Sequence, residues 1–250
     1  MASRDERMMV VAPRTCRDEM RSFGRKRARK PSPRQQALMD TVLPRVRVDP
    51  AALHTGPLAD LFGRPVREVW LEVGFGGAEH LIHQARLHPD IGFIGCEPFE
   101  DGVVKAVSAI ADGQIGNIKI HADDVRPLLR ALPRHALGRV FILFPDPWPK
   151  ARHAKRRLVS RPFLDLLARA MSPGAELRIA TDIEAYARTV LEAAIPHAAF
   201  RWTAAAPEDW RTPWPDWPGT RYAAKAIREG RTPMFLTFVR AEAEAPTKVR

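Results

Sequence analysis

Cysteine is nearly absent. The 250 residues hold two, Cys16 among charges and Cys96 inside an apolar run. With no C-x-x-C spacing, they form neither a zinc site nor a disulfide framework, and they fit a reducing compartment. Long apolar runs are missing too, since none approaches the roughly 18 residues of a membrane span. Residues 8–12 are too short for the core of a signal peptide, and Asp5, Glu6, Asp18 and Glu19 disfavour an organellar transit peptide. Together these absences predict a cytoplasmic protein with no membrane partner and no metal. Negative charge is scarce as well: 29 Asp and Glu stand against 40 Lys and Arg, for a net charge of +11. That balance asks for an anionic partner, nucleic acid ahead of a membrane surface. No internal repeat is visible.

The positive charge is concentrated at the start. Residues 1–34 carry eleven Lys and Arg against four acids, +7 of the +11. With so little apolar content this tail does not offset its ordering entropy, and it is expected to stay mobile until it meets an anion. The rest, 35–250, has the size and apolar content of one α/β domain with a real core. Residues 35–66, with Pro44, Pro50, Pro57 and Pro65, read as an irregular lead-in. From residue 67 strands and helices alternate: strands at 69–73, 91–96, 118–121, 140–144 and 175–180, with helices at 78–88, 99–111, 125–132 and 161–171. Ser160 is expected to cap the last of these, with Pro162 in its first turn, and Asp182 to cap a further helix running to about 194. Late strands follow at 200–202 and 234–239. Such alternation implies a doubly wound, mostly parallel sheet with helices on both faces. Between the late strands, 203–232 is a Trp- and Pro-rich insert carrying Trp210, Trp214 and Trp217.

The chain is organised around 141–157, where the apolar Phe141-Ile142-Leu143-Phe144 breaks onto Pro145-Asp146-Pro147-Trp148-Pro149 and then becomes cationic. The prolines lack N–H donors and force the backbone out of the ladder, so Asp146 is presented at a strand's carboxyl end. Ligands bind outside those ends in open α/β sheets, which makes Asp146 a catalytic candidate. Lys150, Arg152, Lys155, Arg156 and Arg157 follow within eight residues, with His153 among them. So dense a cluster needs solvent or an anion, and phosphate backbone is the usual anion. A turn and a solvated charged face would explain each feature separately, but not an indole, Trp148, beside the carboxylate.

Glycines follow the first strand directly in Glu72-Val73-Gly74-Phe75-Gly76-Gly77-Ala78-Glu79. Gly74 and Gly76 allow a sharp turn and close approach to a ligand. A dinucleotide fingerprint needs Gly or Ala where Glu79 stands, and Glu72 would repel a pyrophosphate. That carboxylate instead suits a cationic cofactor, for which S-adenosylmethionine is the common candidate. Glu97, ending the second strand, is placed to accept from ribose hydroxyls. Asp123 or Asp124, after the third, can meet the adenine amine or cap the next helix.

These residues resemble a known family, the bacterial tRNA (guanine-N7-)-methyltransferases. The likeness rests on Glu-Val-Gly-Phe-Gly at 72–76, Phe-Pro-Asp-Pro-Trp-Pro-Lys at 144–150, Arg-His-Ala-Lys-Arg-Arg-Leu at 152–158, Ala-Thr-Asp at 180–182 and Thr-Arg-Tyr at 220–222. It spans about 35–240. The resemblance implies a Rossmann-like, seven-stranded class I methyltransferase fold that uses S-adenosylmethionine to modify a guanine in the tRNA variable loop. It implies that Glu72, Glu97, Asp124 and Asp146 hold the cofactor, with Asp146 also catalytic. Lys150, Asp182, Thr220, Arg221, Tyr222 and Ala223 would meet the substrate, and Arg152, His153, Lys155, Arg156 and Arg157 would lie on RNA. The chain departs from the family at Ala223, where a glutamate is usual. Glu229 is the nearest acid in that segment, nearly two helical turns further on.

Guanine N7 has a lone pair and no proton, so positioning and charge stabilisation are expected to dominate, with Asp146 stabilising the developing positive charge. Asp182 can accept from guanine N1–H and its amino group. Trp148, Tyr222 and the insert's tryptophans are candidates for stacking the base, although aromatic residues at such spacing are more often core. His153 is expected to be neutral. A monomer or weak homodimer fits, and the alternatives are another RNA base methyltransferase, an NAD(P)-dependent oxidoreductase and a non-enzymatic RNA-binding protein.

Overall fold

The computed structural model describes residues 30–53 and 56–242. The expected behaviour of the basic tail falls almost wholly on residues outside that range. The lead-in is more ordered than its prolines suggested. Ser32 and Gln35 form a reciprocal capping box and Pro33 occupies the first turn, which starts α1 (Pro33–Thr41), followed by α2 (Leu43–Val46). Their apolar residues Leu38, Met39, Val42 and Val46 pack onto the domain. Short 3-10 helices follow at Pro50–Ala52 and Leu58–Phe62.

The alternation then unfolds as β1 (Glu68–Val73), α3 (Glu79–Leu87), β2 (Ile91–Cys96), α4 (Glu100–Gly113), β3 (Ile118–His121), α5 (Val125–Ala131) and β4 (Leu137–Leu143). A 3-10 helix at Ala151–Arg156 leads to α6 (Arg161–Ala170), β5 (Met171–Thr181), α7 (Glu184–Ala194) and β6 (Phe200–Trp202). The chain closes with α8 (Glu208–Arg211), α9 (Arg221–Arg228) and β7 (Met234–Arg240). Pro162 sits in the first turn of α6 as expected; Ser160 is its N-cap residue, though its hydroxyl makes no capping bond.

The seven strands lie in the order β3-β2-β1-β4-β5-β7-β6, parallel except at β7, which runs antiparallel to both neighbours. Side chains alternate across the sheet. Val69, Leu71 and Val73 of β1 enter the core under α5, α6 and α7. Trp70 enters the opposite core, under α3 and α4, and Glu72 shares its parity.

That second core also explains the insert. Trp214 and Trp217 pack edge-on against each other and against Phe235 of β7, so these tryptophans are core rather than an open stacking surface. Asp216, between them, accepts from Arg178 Nη1 through both carboxylate oxygens, at 2.9 and 3.1 Å, and lies 3.8 Å from Arg139. Arg139 lies over the Trp70 ring at 4.1 Å and Arg178 over Trp214 at 5.3 Å. Two arginines from adjacent strands thereby clamp the insert onto the sheet. Burial works to raise the Asp216 carboxyl, but Arg178, a backbone N–H and Arg139 together hold it below the ordinary value of 3.8.

A depressed carboxyl stabilises the fold above its unfolded value and loses that contribution as pH falls through the folded one. Asp216→Ala is therefore expected to lower the unfolding free energy by about 2 kcal/mol at pH 7, because it leaves two partly buried guanidiniums short of an acceptor. The difference from the unsubstituted protein should shrink below pH 3.8. Urea unfolding at several pH values checks this, and equal stability of the two proteins at pH 7 would show that the clamp contributes nothing.

Candidate active site

The strand order reverses between β1 and β4, which opens a crevice at their carboxyl ends. Chain geometry fills that crevice with the predicted residues. After β1 the backbone passes through left-handed conformations at Gly74 (φ 73°), Gly76 (φ 55°) and even Ala78 (φ 65°). The first turn of α4 presses on this bend: a Cβ on Gly102 would lie 2.5 Å from the Gly76 carbonyl oxygen. Glu97 ties the two together, accepting from Gly76 N–H at 2.8 Å through one oxygen and from Phe99 N–H at 2.9 Å through the other. Its carboxyl is raised above the ordinary 4.5, by burial first and then by Asp146 and Glu72, against the lowering effect of the two backbone bonds. Two other carboxylates are thus close enough to oppose the ionisation of Glu97.

The acids of this rim differ in what they already hold. Glu72 is buried and meets His80 Nδ1 at 2.7 Å, a residue that sequence reasoning passed over. His80 sits in turn against Phe141 and Trp217. Asp124 caps α5, accepting from Arg126 N–H at 2.8 Å, and pairs with the Arg126 guanidinium, so the capping alternative describes it. Asp123 accepts from the Asp124 N–H at 2.8 Å and stays exposed. Asp146 is exposed and has no hydrogen bond or ion pair among the described residues.

The loop that carries Asp146 is strained. Phe144 (φ 49°) and Trp148 (φ 42°) are left-handed and each precedes a proline, a conformation costing about 1–3 kcal/mol per residue. Several contacts hold it. Phe144 N–H donates to Ala180 O at 2.7 Å, and its ring stacks with Tyr222 at 6.4 Å. From the other side Arg157 donates to Pro147 O at 3.1 Å, to Ala185 O and to the Thr189 hydroxyl of α7. Arg157 is therefore a strut within the protein, half-buried and bonded to three groups of it, in addition to the RNA contact expected of it.

The other cations keep an outward disposition. Lys150, Arg152 and Lys155 are exposed, while Arg156 lies over the Trp148 ring at 4.9 Å. Trp148 thus braces the cationic helix, and His153 packs against its edge. Desolvation, Arg156 and Lys150 lower the His153 pKa, which leaves it neutral near pH 7.

Asp182 does not cap α7. Ile183 holds the cap position and the Asp182 carboxylate bonds Arg231 instead, at 2.6 Å. The Thr220 hydroxyl caps α9 by accepting from Ala223 N–H at 3.1 Å, and Ala223 itself is buried. A glutamate at that third helical position would complete a capping box, so the family's residue has a plain structural use as well. Arg221 pairs with Glu79 at 3.5 Å and lies over Tyr222. Tyr222 closes over the glycine bend, within 3.1 Å of where a Gly76 Cβ would stand. Glu72, Gly74, His80, Phe144, Thr220 and Tyr222 line one small pocket there.

Neither His80 nor Gly102 carries a local sequence signal. Each matters through the face that a strand or helix presents to its neighbour, which becomes visible only with the pairing. Negative charge in excess of its partners, set beside a glycine bend, fits a cationic nucleoside cofactor such as S-adenosylmethionine. Among the described residues no three His, Cys, Asp or Glu side chains gather as a metal-holding group, and no helix is long and apolar enough to cross a membrane.

Comparison with known proteins agrees with this chemistry. A family model described as "Putative methyltransferase" matches residues 66–236. The tRNA (guanine-N(7)-)-methyltransferase of Chelativorans sp. is 47% identical over 218 residues, 87% of this chain and 94% of that protein. The protein of that name from Rhodospirillum rubrum is 46% identical over 231 residues, 91% of each. A third, from Roseobacter denitrificans, is 54% identical over 178 residues, 71% of this chain and 75% of its own.

Because Glu97 takes up its proton above the ordinary glutamate value of 4.5, affinity for S-adenosylmethionine is expected to fall on acidification before pH 4.5 is reached. Glu97→Gln should bind more weakly at pH 7 and lose that part of the pH dependence. Titration calorimetry from pH 8 to 5 checks it; an affinity independent of pH, unchanged by the substitution, would separate Glu97 from the cofactor.

Proposed function

We propose that this chain, which belongs to the tRNA (guanine-N(7)-)-methyltransferase family, transfers a methyl group to N7 of a guanine in tRNA, the guanine being one of the variable loop. It is a class I S-adenosylmethionine-dependent methyltransferase with the mixed, mostly parallel seven-stranded sheet of that class. Family membership sets aside the oxidoreductase and the non-enzymatic RNA binder. The observation that carries the reading is the place of Asp146. It is exposed, without a hydrogen bond or ion pair among the described residues, close enough to Glu97 to act on its carboxyl and followed directly by the cationic 3-10 helix.

S-adenosylmethionine supplies a methyl carried on a sulfonium sulfur. Glu72, oriented by His80, and Glu97, fixed by two backbone donors, would hold its cationic and ribose portions, with Gly74 and Gly76 giving close backbone approach. Each Glu97 oxygen retains a lone pair for a ribose hydroxyl. Asp124 would reach the adenine only beside its bond to Arg126. No general base is needed, since N7 carries no proton. Asp146 would stabilise the positive charge that develops on the purine, an effect strengthened by a loop already locked in one geometry. Asp182 and Thr220 would face the guanine, and Tyr222, stacked on Phe144, would bound the base site. Lys150, Arg152, Lys155 and Arg156 would meet phosphates and fix register rather than read sequence.

A cytoplasmic monomer or weak homodimer suits this role. The large apolar side chains exposed among the described residues, Leu87, Ile195, Tyr222 and Ile227, are few. Incubation with methyl-labelled S-adenosylmethionine and unmodified tRNA, followed by nucleoside analysis, tests the activity. Label is expected in 7-methylguanosine, and label confined to another nucleoside would refute the assignment. In the same assay Asp146→Asn should reduce turnover about 10²-fold with little change in melting temperature, because the side chain is exposed. Near-normal turnover would leave Asp146 a turn residue only.

A further inference from the structure

The chain lacks the family's glutamate at Ala223, yet an acid from the same segment does reach the site at one remove. β5 and β7 pair antiparallel up to Thr181 opposite Met234, which brings the residues just after Thr181 beside those just before Met234. There α9 ends in a Schellman turn: Gly230 is left-handed (φ 73°), its N–H donates to Ile227 O at 3.0 Å, and Arg231 N–H donates to Ala226 O at 2.9 Å. That turn fixes Arg231 relative to the helix. Its guanidinium donates from Nε to Asp182 Oδ2 at 2.6 Å and from Nη2 to Glu229 Oε2 at 2.6 Å. Asp182 is mostly buried, and its Oδ1 has no partner among the described residues.

We infer that Arg231 is a positioning residue for guanine recognition: held by Glu229, it fixes the Asp182 carboxylate through one lone pair of Oδ2 and leaves Oδ1 and the second Oδ2 lone pair for the two donors of the base. This rests on the reading in which Asp182 accepts from guanine N1–H and its amino group. A carboxylate of a single fixed orientation favours two donors at a set spacing, and an unbraced one does so less, since its rotation must be stopped on binding. Glu229 thus acts on the guanine through Arg231 and has no need to span the nearly two turns back to Ala223.

The test compares tRNA carrying guanine with tRNA carrying inosine, which lacks the amino group, at the methylated position. Asp182→Asn should cut the preference for guanine in kcat/KM about tenfold. Arg231→Gln should raise KM for the guanine tRNA and reduce the same preference in the same direction. Neither should change the dissociation constant of S-adenosylmethionine. Arg231→Lys should recover part of the preference, and Glu229→Gln should show a weaker form of the Arg231→Gln defect. If Asp182→Asn abolishes the preference while Arg231→Gln leaves it intact, the positioning role is wrong and the guanine reading stands. If Asp182→Asn leaves the preference unchanged, both fall. A loss in Arg231→Gln equal for the two tRNAs, with a shallower dependence of affinity on salt, would make Arg231 a phosphate contact and overturn the inference.

Discussion

Glu97 is buried at the end of β2, in reach of two other carboxylates, and is kept there by the N–H groups of Gly76 and Phe99. That arrangement joins the strand, the glycine bend and the first turn of α4 into one unit, and it concentrates negative charge where the strand order reverses. Burying such charge is costly unless it is satisfied, and here the protein satisfies it unequally. His80 serves Glu72, Arg126 serves Asp124, and Asp146 is left exposed without a partner among the described residues. The remaining imbalance is what a cationic cofactor would complete. The cationic helix that follows Asp146 turns the next stretch of surface from acidic to basic, as an enzyme with a cationic cofactor and a polyanionic substrate requires.

The loop between these surfaces is rigid by construction. Three prolines and two left-handed aromatic residues would be unstable alone, and the surroundings over-determine them: Ala180 O receives the Phe144 N–H, Arg157 pins the Pro147 carbonyl to α7, and Trp148 lies under Arg156. Tyr222 stacks on Phe144 and also touches the glycine bend, so α9 closes the same pocket from above. The Trp-rich insert serves this closure. Its indoles bury against β7, and the Asp216 clamp fixes the segment from which α9 departs.

Much of this was legible in the sequence where the signal is local. β2, β3 and β6 fall where apolar runs end in polar or glycine breaks, and the acids after successive strands mark one edge of the sheet because every parallel strand points the same way. Signals that depend on partners were not legible. Asp182 was expected to cap a helix, but antiparallel pairing of β7 brings Arg231 to it first. Arg157 looked like one more cation of a basic run, yet the helix it ends turns it back toward α7. Trp214 and Trp217 of the insert gave no sign of which face they join, since they lie in the irregular stretch between α8 and α9, which has no period to read. α1 was hidden differently: its start signals, Ser32 with Gln35 and Pro33, lie within a charge-rich stretch whose composition suggested a tail.

The central claim is that the carboxyl edge at the β1–β4 switch holds the adenosyl cofactor, with Glu97 fixing both the bend and the ribose. A crystal structure of the protein with S-adenosylhomocysteine tests it most directly. The account predicts the ribose hydroxyls on Glu97 with its bonds to Gly76 and Phe99 intact, the amino acid portion beside Glu72 and Gly74, and the thioether sulfur facing the Asp146 loop. A ligand lying elsewhere, or one that leaves Glu97 untouched, would contradict it.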